Sequence, residues 1–253
     1  MSITTPAELA GMQRVSHAVA TTLRRMREYA QEGMSTLELD AFGAELLQEF
    51  GAKSAPMLTY QFPGHTCISV NDEVAHGIPN ANRILKSGDL VNIDVSAELD
   101  GFWADNGGSF VLGEGDAEKT ALIKASQEIL REAIYSIRGG VRVAEVGRLI
   151  EQRARKAGYK VIRNLAGHGV GRSLHESPED ILNCYDRHNK ERFRQGSVVA
   201  IETFIATRST VALTQQDGWT LKGNRGGYVA QHEHTMVVTD GEPMILTEAN
   251  AIW

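Results

Sequence analysis

The sequence predicts an α+β chain made of two related halves that share one sheet, and three observations carry this reading. Apolar periodicity runs helix, helix, strands, and then helix, helix, strands again. A shift of 107 residues lays "EGMSTLELDAFGAELLQEFGAK" over "GGVRVAEVGRLIEQRARKAGYK", matching Gly33 with Gly140, Glu38 with Glu145, Gly51 with Gly158 and Lys53 with Lys160. No linker or low-complexity stretch separates the repeats. Residues 1–253 therefore read as one domain, with halves of approximately 1–113 and 114–253.

From Pro6 to about Tyr29, Leu9, Met12, Val15, Val19 and Leu23 recur on one helical face, and Gly33 follows the helix. "STLELDAFGAELLQEF" is a second helix, with Ser35 as N-cap, Glu38 three residues later and Gly51 at its C-terminal end. "LVNIDVSAEL" and "FWADNGGSFVL" read as strands joined by Asp100-Gly101, a strong two-residue hairpin signal. Helical spacing returns over 117–137 and 144–158. Strand-like "YKVIRN", "SVVAIETFIA" and "YVAQHEHTMVVTD" follow.

A net charge of −6 argues against a general nucleic-acid binder, which needs a basic face to neutralise phosphates. "RHNKERFR" (187–194) is the one basic run and reads as a solvated surface segment. The N-terminus lacks the pattern of a secretory signal, and no run of about 18 apolar residues suggests a membrane span. Cys67 and Cys184 form no CxxC pair, which excludes a cysteine-based zinc site and fits a reducing cytoplasm.

The hairpin register makes the acids informative. With a two-residue loop Leu99 opposes Phe102, so Ser96 opposes Asp105, and Asp94 lies on the same face as Asp105. These diagonal neighbours sit with backbones about 7–8 Å apart in otherwise apolar strands. Two like charges there call for a compensating cation, unless the sheet face is open to water. Glu202 in "VVAIETFIA" and Glu233 in "YVAQHEHTMVV" repeat the device, and Asp94 shifted by 107 lands one residue short of Glu202. Their wider spacing predicts a longer connecting loop. Four carboxylates, with His168 or His175 from the glycine-rich "GHGVGRSLHE" (167–176), make a hard-ligand set suited to Mn, Fe, Co or Zn. In a regular strand His232 and His234 point away from Glu233 and take supporting roles.

The chain resembles the type I methionine aminopeptidases of the creatinase-like "pita-bread" superfamily, peptidase family M24, through "CISVNDEVAHGIP" (67–79), "GDLVNIDV" (88–95), "GHGVGRSLHE", "AIE" (200–202) and "AQHEHT" (230–235). The resemblance implies two α/β halves around a curved antiparallel sheet, helices outside and two divalent metal ions in the concave centre. It implies Asp94, Asp105, His168, Glu202 and Glu233 as ligands, with Asp105 and Glu233 bridging. The glycines would keep the backbone thin beside the metals. His76 would contact the scissile amide, His175 would donate to the carbonyl oxygen, and Glu202 would shuttle a proton. Cys67, Phe62, Trp219 and Leu174 would line the methionine pocket. The implied reaction is initiator-methionine removal from nascent proteins with a small second residue, by a metal-bridging hydroxide. Met1-Ser2 itself fits that rule. A cytoplasmic monomer with transient ribosome contact and no specific nucleic-acid partner is expected.

Two positions depart from the family pattern. Thr203 replaces the usual proline after the ligand glutamate, and Asn106 the common threonine after the second aspartate. Both leave the ligands intact and bear on metal affinity or rate. Two alternatives remain at this stage. One is an Xaa-Pro aminopeptidase or dipeptidase, whose relatives usually carry a separate N-terminal domain that a first helix near residue 6 leaves no room for. The other is a binding protein on the same fold, in which ligands are typically lost.

Overall fold

Thr5 starts the first helix, α1 (Pro6–Tyr29): its side chain accepts from the Glu8 backbone N–H, and the Glu8 carboxylate accepts from the Thr5 N–H. The same box, Ser35 with Glu38, opens α2 (Thr36–Glu49) as the sequence predicts. In the computed structural model, which describes residues 1–253, these helices lead through β1 (Lys53–Ser54) and a short α3 (Ala55–Tyr60). Strands β2 (Cys67–Val70), β3 (Glu73–Ala75), β4 (Leu90–Leu99) and β5 (Phe102–Val111) complete the first half. The second half repeats the order with α4 (Ala117–Ser136), α5 (Val143–Lys156), β6 (Lys160–Val161), β7 (Ala166–Gly169), β8 (Glu176–Leu182) and β9 (Val198–Ala206). It continues with β10 (Ala212–Thr214), β11 (Leu221–Gly223) and β12 (Val229–Val237), and a short β13 (Met244–Ile245) pairs back onto β12.

The hairpin register is the one the sequence predicts: Leu99 faces Phe102 and Ser96 faces Asp105. Asp100 and Gly101 both adopt positive φ, 54° and 78°, as a twist-matched two-residue turn requires. The main sheet runs β1-β4-β5-β12-β9-β7-β8, and every pairing in it is antiparallel. The halves thus meet at β5 and β12. The pairing is similar in the two parts of the chain: Lys53 opposes Glu98, and Lys160, 107 residues on, opposes Ala206. Strands β4 and β9 are themselves 108 apart, which accounts for the one-residue drift between Asp94 and Glu202.

Helix α1 packs on β4 and β5, and α4 on β9 and β12. Val91, Ile93, Val95 and Ala97 belong to this core with Met12, Val15, Val19 and Leu23. Strand alternation sends Asn92, Asp94 and Ser96 to the opposite face. "YKVIRN" pairs only at Lys160 and Val161. The connection between β9 and β12 is more than a long loop: β10 and β11 pair with each other and β11 with β3. No helix is long and apolar enough to cross a membrane.

At the seam, side chains take over from the backbone ladder, where His232 opposite Gly108 is the registered β5–β12 pair. Thr235 Oγ1 accepts from the Asp105 N–H at 3.0 Å and donates to the Asp105 carbonyl at 2.7 Å. In the mirror arrangement Ser109 Oγ accepts from the Gln231 N–H at 3.0 Å and donates to its carbonyl at 2.9 Å. Thr235→Val keeps the volume but orphans both Asp105 backbone groups, so urea unfolding should show a loss of about 2–4 kcal/mol.

Candidate active site

Two facing hairpins bring the predicted acids together. Glu202 and Glu233 are directly opposed across β9 and β12, while Asp94 and Asp105 come from β4 and β5. All four line one cavity of about 450 Å³, as do His168, His175, His76, Cys67, Phe62, Leu174 and Trp219. Ligating atoms of Asp105, His168 and Glu233 lie within 4.8 Å of one another, and all three residues are buried.

His168 is oriented for ligation. Its Nδ1 lies 3.0 Å from the Gly169 carbonyl, which can only accept, so Nδ1 carries a hydrogen and Nε2 is the nitrogen left for a metal. Nε2 is 3.6 Å from Asp105 Oδ2. The glycines around it serve a different purpose from the one expected. A Cβ on Gly167 would come within 2.5 Å of the Ala200 carbonyl, and one on Gly169 within 2.4 Å of the Ser177 carbonyl. It is strand-to-strand approach that demands glycine here.

Burial raises the Asp94 and Glu233 carboxyls well above their usual range, with the neighbouring acids adding repulsion. Burial likewise lifts Glu202 to about 8, against the pull of His168. His168 itself is raised, because Asp105 and Glu202 outweigh the burial that opposes its charge. Two carboxylate oxygens, Asp105 Oδ1 and Glu233 Oε1, are buried without a hydrogen-bond partner. These belong to the two residues expected to bridge. A divalent cation satisfies the orphaned oxygens and removes the repulsion together, so the donor set fits a metal centre.

Gln231, which sequence reasoning passed over, stabilises this cluster. Its Nε2 reaches Glu233 Oε2 at 3.1 Å and Glu202 Oε2 at 3.4 Å, while its Oε1 accepts from Asn92 Nδ2 at 2.7 Å. The signal was its position two residues before Glu233, hence on the same strand face. Gly107 leaves the room it fills, since a Cβ there would sit 2.3 Å from Gln231 Oε1.

His232 and His234 do point to the helix side. His232 Nδ1 lies 2.8 Å from Ser126 Oγ and Nε2 3.1 Å from the Ser109 carbonyl, and burial holds it near 4, a neutral core residue. His234 lies 2.8 Å from Thr247 Oγ1 and is lowered to about 3 by burial. Thr203 and Asn106 are on that side too: the Thr203 hydroxyl is 3.4 Å from Ser126 Oγ, and Asn106 bonds the Val95 carbonyl and Asn250. Both are wholly buried, so any effect on a metal passes through the backbone.

Phe62 and Trp219 meet edge to face with centroids 5.3 Å apart, forming an aromatic corner of the cavity. Trp219 arrives on the turn between β10 and β11, where Asp217 Oδ1 accepts from the backbone of Trp219 and Thr220. Cys67 pairs with Asp94 across β2 and β4, and burial pushes its thiol well up, keeping it uncharged. His76 is held at φ 54° on the cavity edge, and desolvation lowers its pKa. A buried acid cluster, a histidine with a free Nε2 and an aromatic-lined cavity are thus on one sheet face.

Residues 10–240 match the model of metallopeptidase family M24. The chain is 47% identical over 248 residues to methionine aminopeptidase 2 of Bacillus subtilis, covering 98% of this chain and all of that one. The chain belongs to the M24 metallopeptidases, among the methionine aminopeptidases. A crystal structure of methionine aminopeptidase from Thermotoga maritima superposes with a TM-score of 0.93 at 33% identity, covering 98% of this chain and 99% of that one. The prolidase of Pyrococcus furiosus matches at a TM-score of 0.77 and 20% identity, with 65% of its length covered, which shows a shared pita-bread fold alone. The chain is thus an M24 metallopeptidase that carries a buried Asp105, His168 and Glu233 group able to bind a metal ion.

Proposed function

We infer that this chain is a methionine aminopeptidase acting, as one catalytic domain, on polypeptides that begin with methionine followed by a small residue. The observation that carries this reading is the orphaned pair Asp105 Oδ1 and Glu233 Oε1 beside an aromatic-lined cavity. Asp94, Asp105, His168, Glu202 and Glu233 would hold two divalent ions, drawn from Co, Mn, Fe or Zn. When bound, such a pair supplies the Lewis acidity that polarises the scissile carbonyl and lowers the pKa of the attacking water.

The chain's own groups do the rest. Phe62, Trp219, Cys67 and Leu174 receive the methionine side chain. His76 reaches the scissile amide from the cavity edge. His175, lowered to about 4 by burial and by His168, is neutral and donates a hydrogen bond to the carbonyl oxygen as charge builds there. The Glu202 carboxylate carries the proton from water to the leaving amine. On this reading the reaction is excision of initiator methionine in the cytoplasm, by a monomer making transient ribosome contact.

Methionine release from Met-Ala-Ser in added manganese or cobalt, beside alanine release from Ala-Pro-Ser, tests the assignment. Metal-dependent turnover of Met-Ala-Ser alone is the expected result. Turnover of only the proline peptide would move the chain to the Xaa-Pro branch. Metal binding without any turnover would favour the binding-protein alternative.

A further inference from the structure

His175 has a partner that the reaction as described does not use. Its Nδ1 lies 2.7 Å from the hydroxyl of Tyr60, and the two rings are tilted at 53° with centroids 5.8 Å apart. Tyr60 is the last residue of α3, and its placement is built in. Ser54 Oγ caps that helix by accepting from the Met57 N–H, and the same hydroxyl donates to the His65 carbonyl at 2.8 Å. Gln61, at φ 58°, stops the helix immediately after Tyr60. The chain then turns into Phe62, so one short segment delivers both a cavity wall and a phenol directed at His175.

The chemistry of the pair sets the direction of the bond. Phenol is the stronger acid and an imidazole nitrogen the stronger acceptor, so O–H···N is the favoured arrangement. A histidine whose Nδ1 accepts must carry its hydrogen on Nε2, because the bond at one ring nitrogen determines the state of the other. Burial and Asp105 raise the Tyr60 pKa, so the phenol keeps the proton it donates.

We propose that Tyr60 is a positioning residue for His175: its hydroxyl donates to Nδ1, holds the ring in place and leaves the hydrogen on Nε2 for the substrate carbonyl. The inference rests on the assignment of His175 as donor to that carbonyl. Tyr60 acts through His175 and not on methionine, so removing its hydroxyl weakens the transition state more than the ground state.

The test compares wild type, Tyr60→Phe and Tyr60→Ala in the manganese-loaded enzyme on Met-Ala-Ser. Tyr60→Phe should lower kcat about tenfold, in the range of lost outer partners of active-site histidines, with KM within about twofold. Tyr60→Ala should lower kcat no less. In the diamagnetic zinc-loaded enzyme, the ¹⁵N shifts of His175 should show a lone-pair Nδ1 and a protonated Nε2 in wild type and a tautomer mixture in Tyr60→Phe. A Phe variant with wild-type kcat would overturn the proposal and assign Tyr60 to packing, whatever Ala does. A rise in KM at constant kcat would overturn it by making Tyr60 a substrate contact. Unchanged His175 shifts would overturn the tautomer argument without reference to turnover. Failure of wild type itself to release methionine would instead count against the parent assignment.

Discussion

Asp105→Ala should reduce methionine release from Met-Ala-Ser by about 10³-fold or more at saturating manganese. Asp105 occupies the centre of the cluster: His168 Nε2 is 3.6 Å from its Oδ2, and its Oδ1 is buried without a partner. Its charge is also felt at Asp94, Glu202 and Glu233. Polarisation by a bound metal is worth several kcal/mol of barrier, and each 1.36 kcal/mol is tenfold in rate. The backbone supports for Asp105 come from Thr235 and survive the substitution, so the fold should persist and circular dichroism should be unchanged. Metal titration by calorimetry should show fewer or weaker ions. Activity within about tenfold of wild type at saturating metal would remove Asp105 from the centre.

The metal-free chain should lose stability as pH rises from 7 towards 8.5, and metal should abolish that loss. Burial and its neighbours lift Glu202 from 4.5 to about 8, and Asp94 and Glu233 shift in the same direction. Between the ordinary and the folded pKa the native state holds protons that the unfolded chain has released. Linkage then makes stability fall with rising pH, present in full below about 4.5 and lost through about 8. The buried histidines act oppositely. His232 is near 4 and His234 near 3, so their contribution is present above about 6.5 and is lost as pH falls towards those values. Above pH 7 these two histidines are neutral in both states, and the raised carboxyls set the slope, with the raised His168 acting in the same direction. Thermal unfolding of chelated protein at pH 7 and 8.5 should show the drop, and Glu202→Gln should reduce it. Metal binding at pH 7 should release about one proton or more per chain, read as heats that depend on buffer ionisation. A metal-free melting temperature that is flat over this range, with buffer-independent heats, would contradict the proton inventory.

Several of the particulars were legible without coordinates, and each has a local cause. Ser35 with Glu38 marks a helix start because side chain and backbone satisfy each other within four residues. Asp100-Gly101 sets the register of a whole hairpin because only certain residues adopt two successive positive φ values. From that register, period-two alternation puts Asp94 and Asp105 on one face. The helix-side orientation of His232 and His234 follows from the same rule.

Other features have no local cause and stayed hidden. Gln231 and Thr235 look like ordinary strand residues; their value comes from the seam, where one half meets the other. The glycines flanking His168 suggest room for metals by sequence, but their tight neighbours are the β8 and β9 backbones, which only the assembled sheet places there. Tyr60 lies 115 residues from its partner. The sequence suggests only a loop where the three-stranded sheet carries Trp219 to Phe62, because strands of three residues are too short to show alternation.

By itself, then, the sequence determined the helix starts, the first hairpin's register and which of its acids share a face, since turn preference, capping and strand period act over a few residues. Tertiary structure alone decided how the two hairpins face each other, which oxygens are left unpartnered and which side chains orient the reacting groups. Those outcomes depend on distances between segments far apart in the chain, and no local preference encodes them.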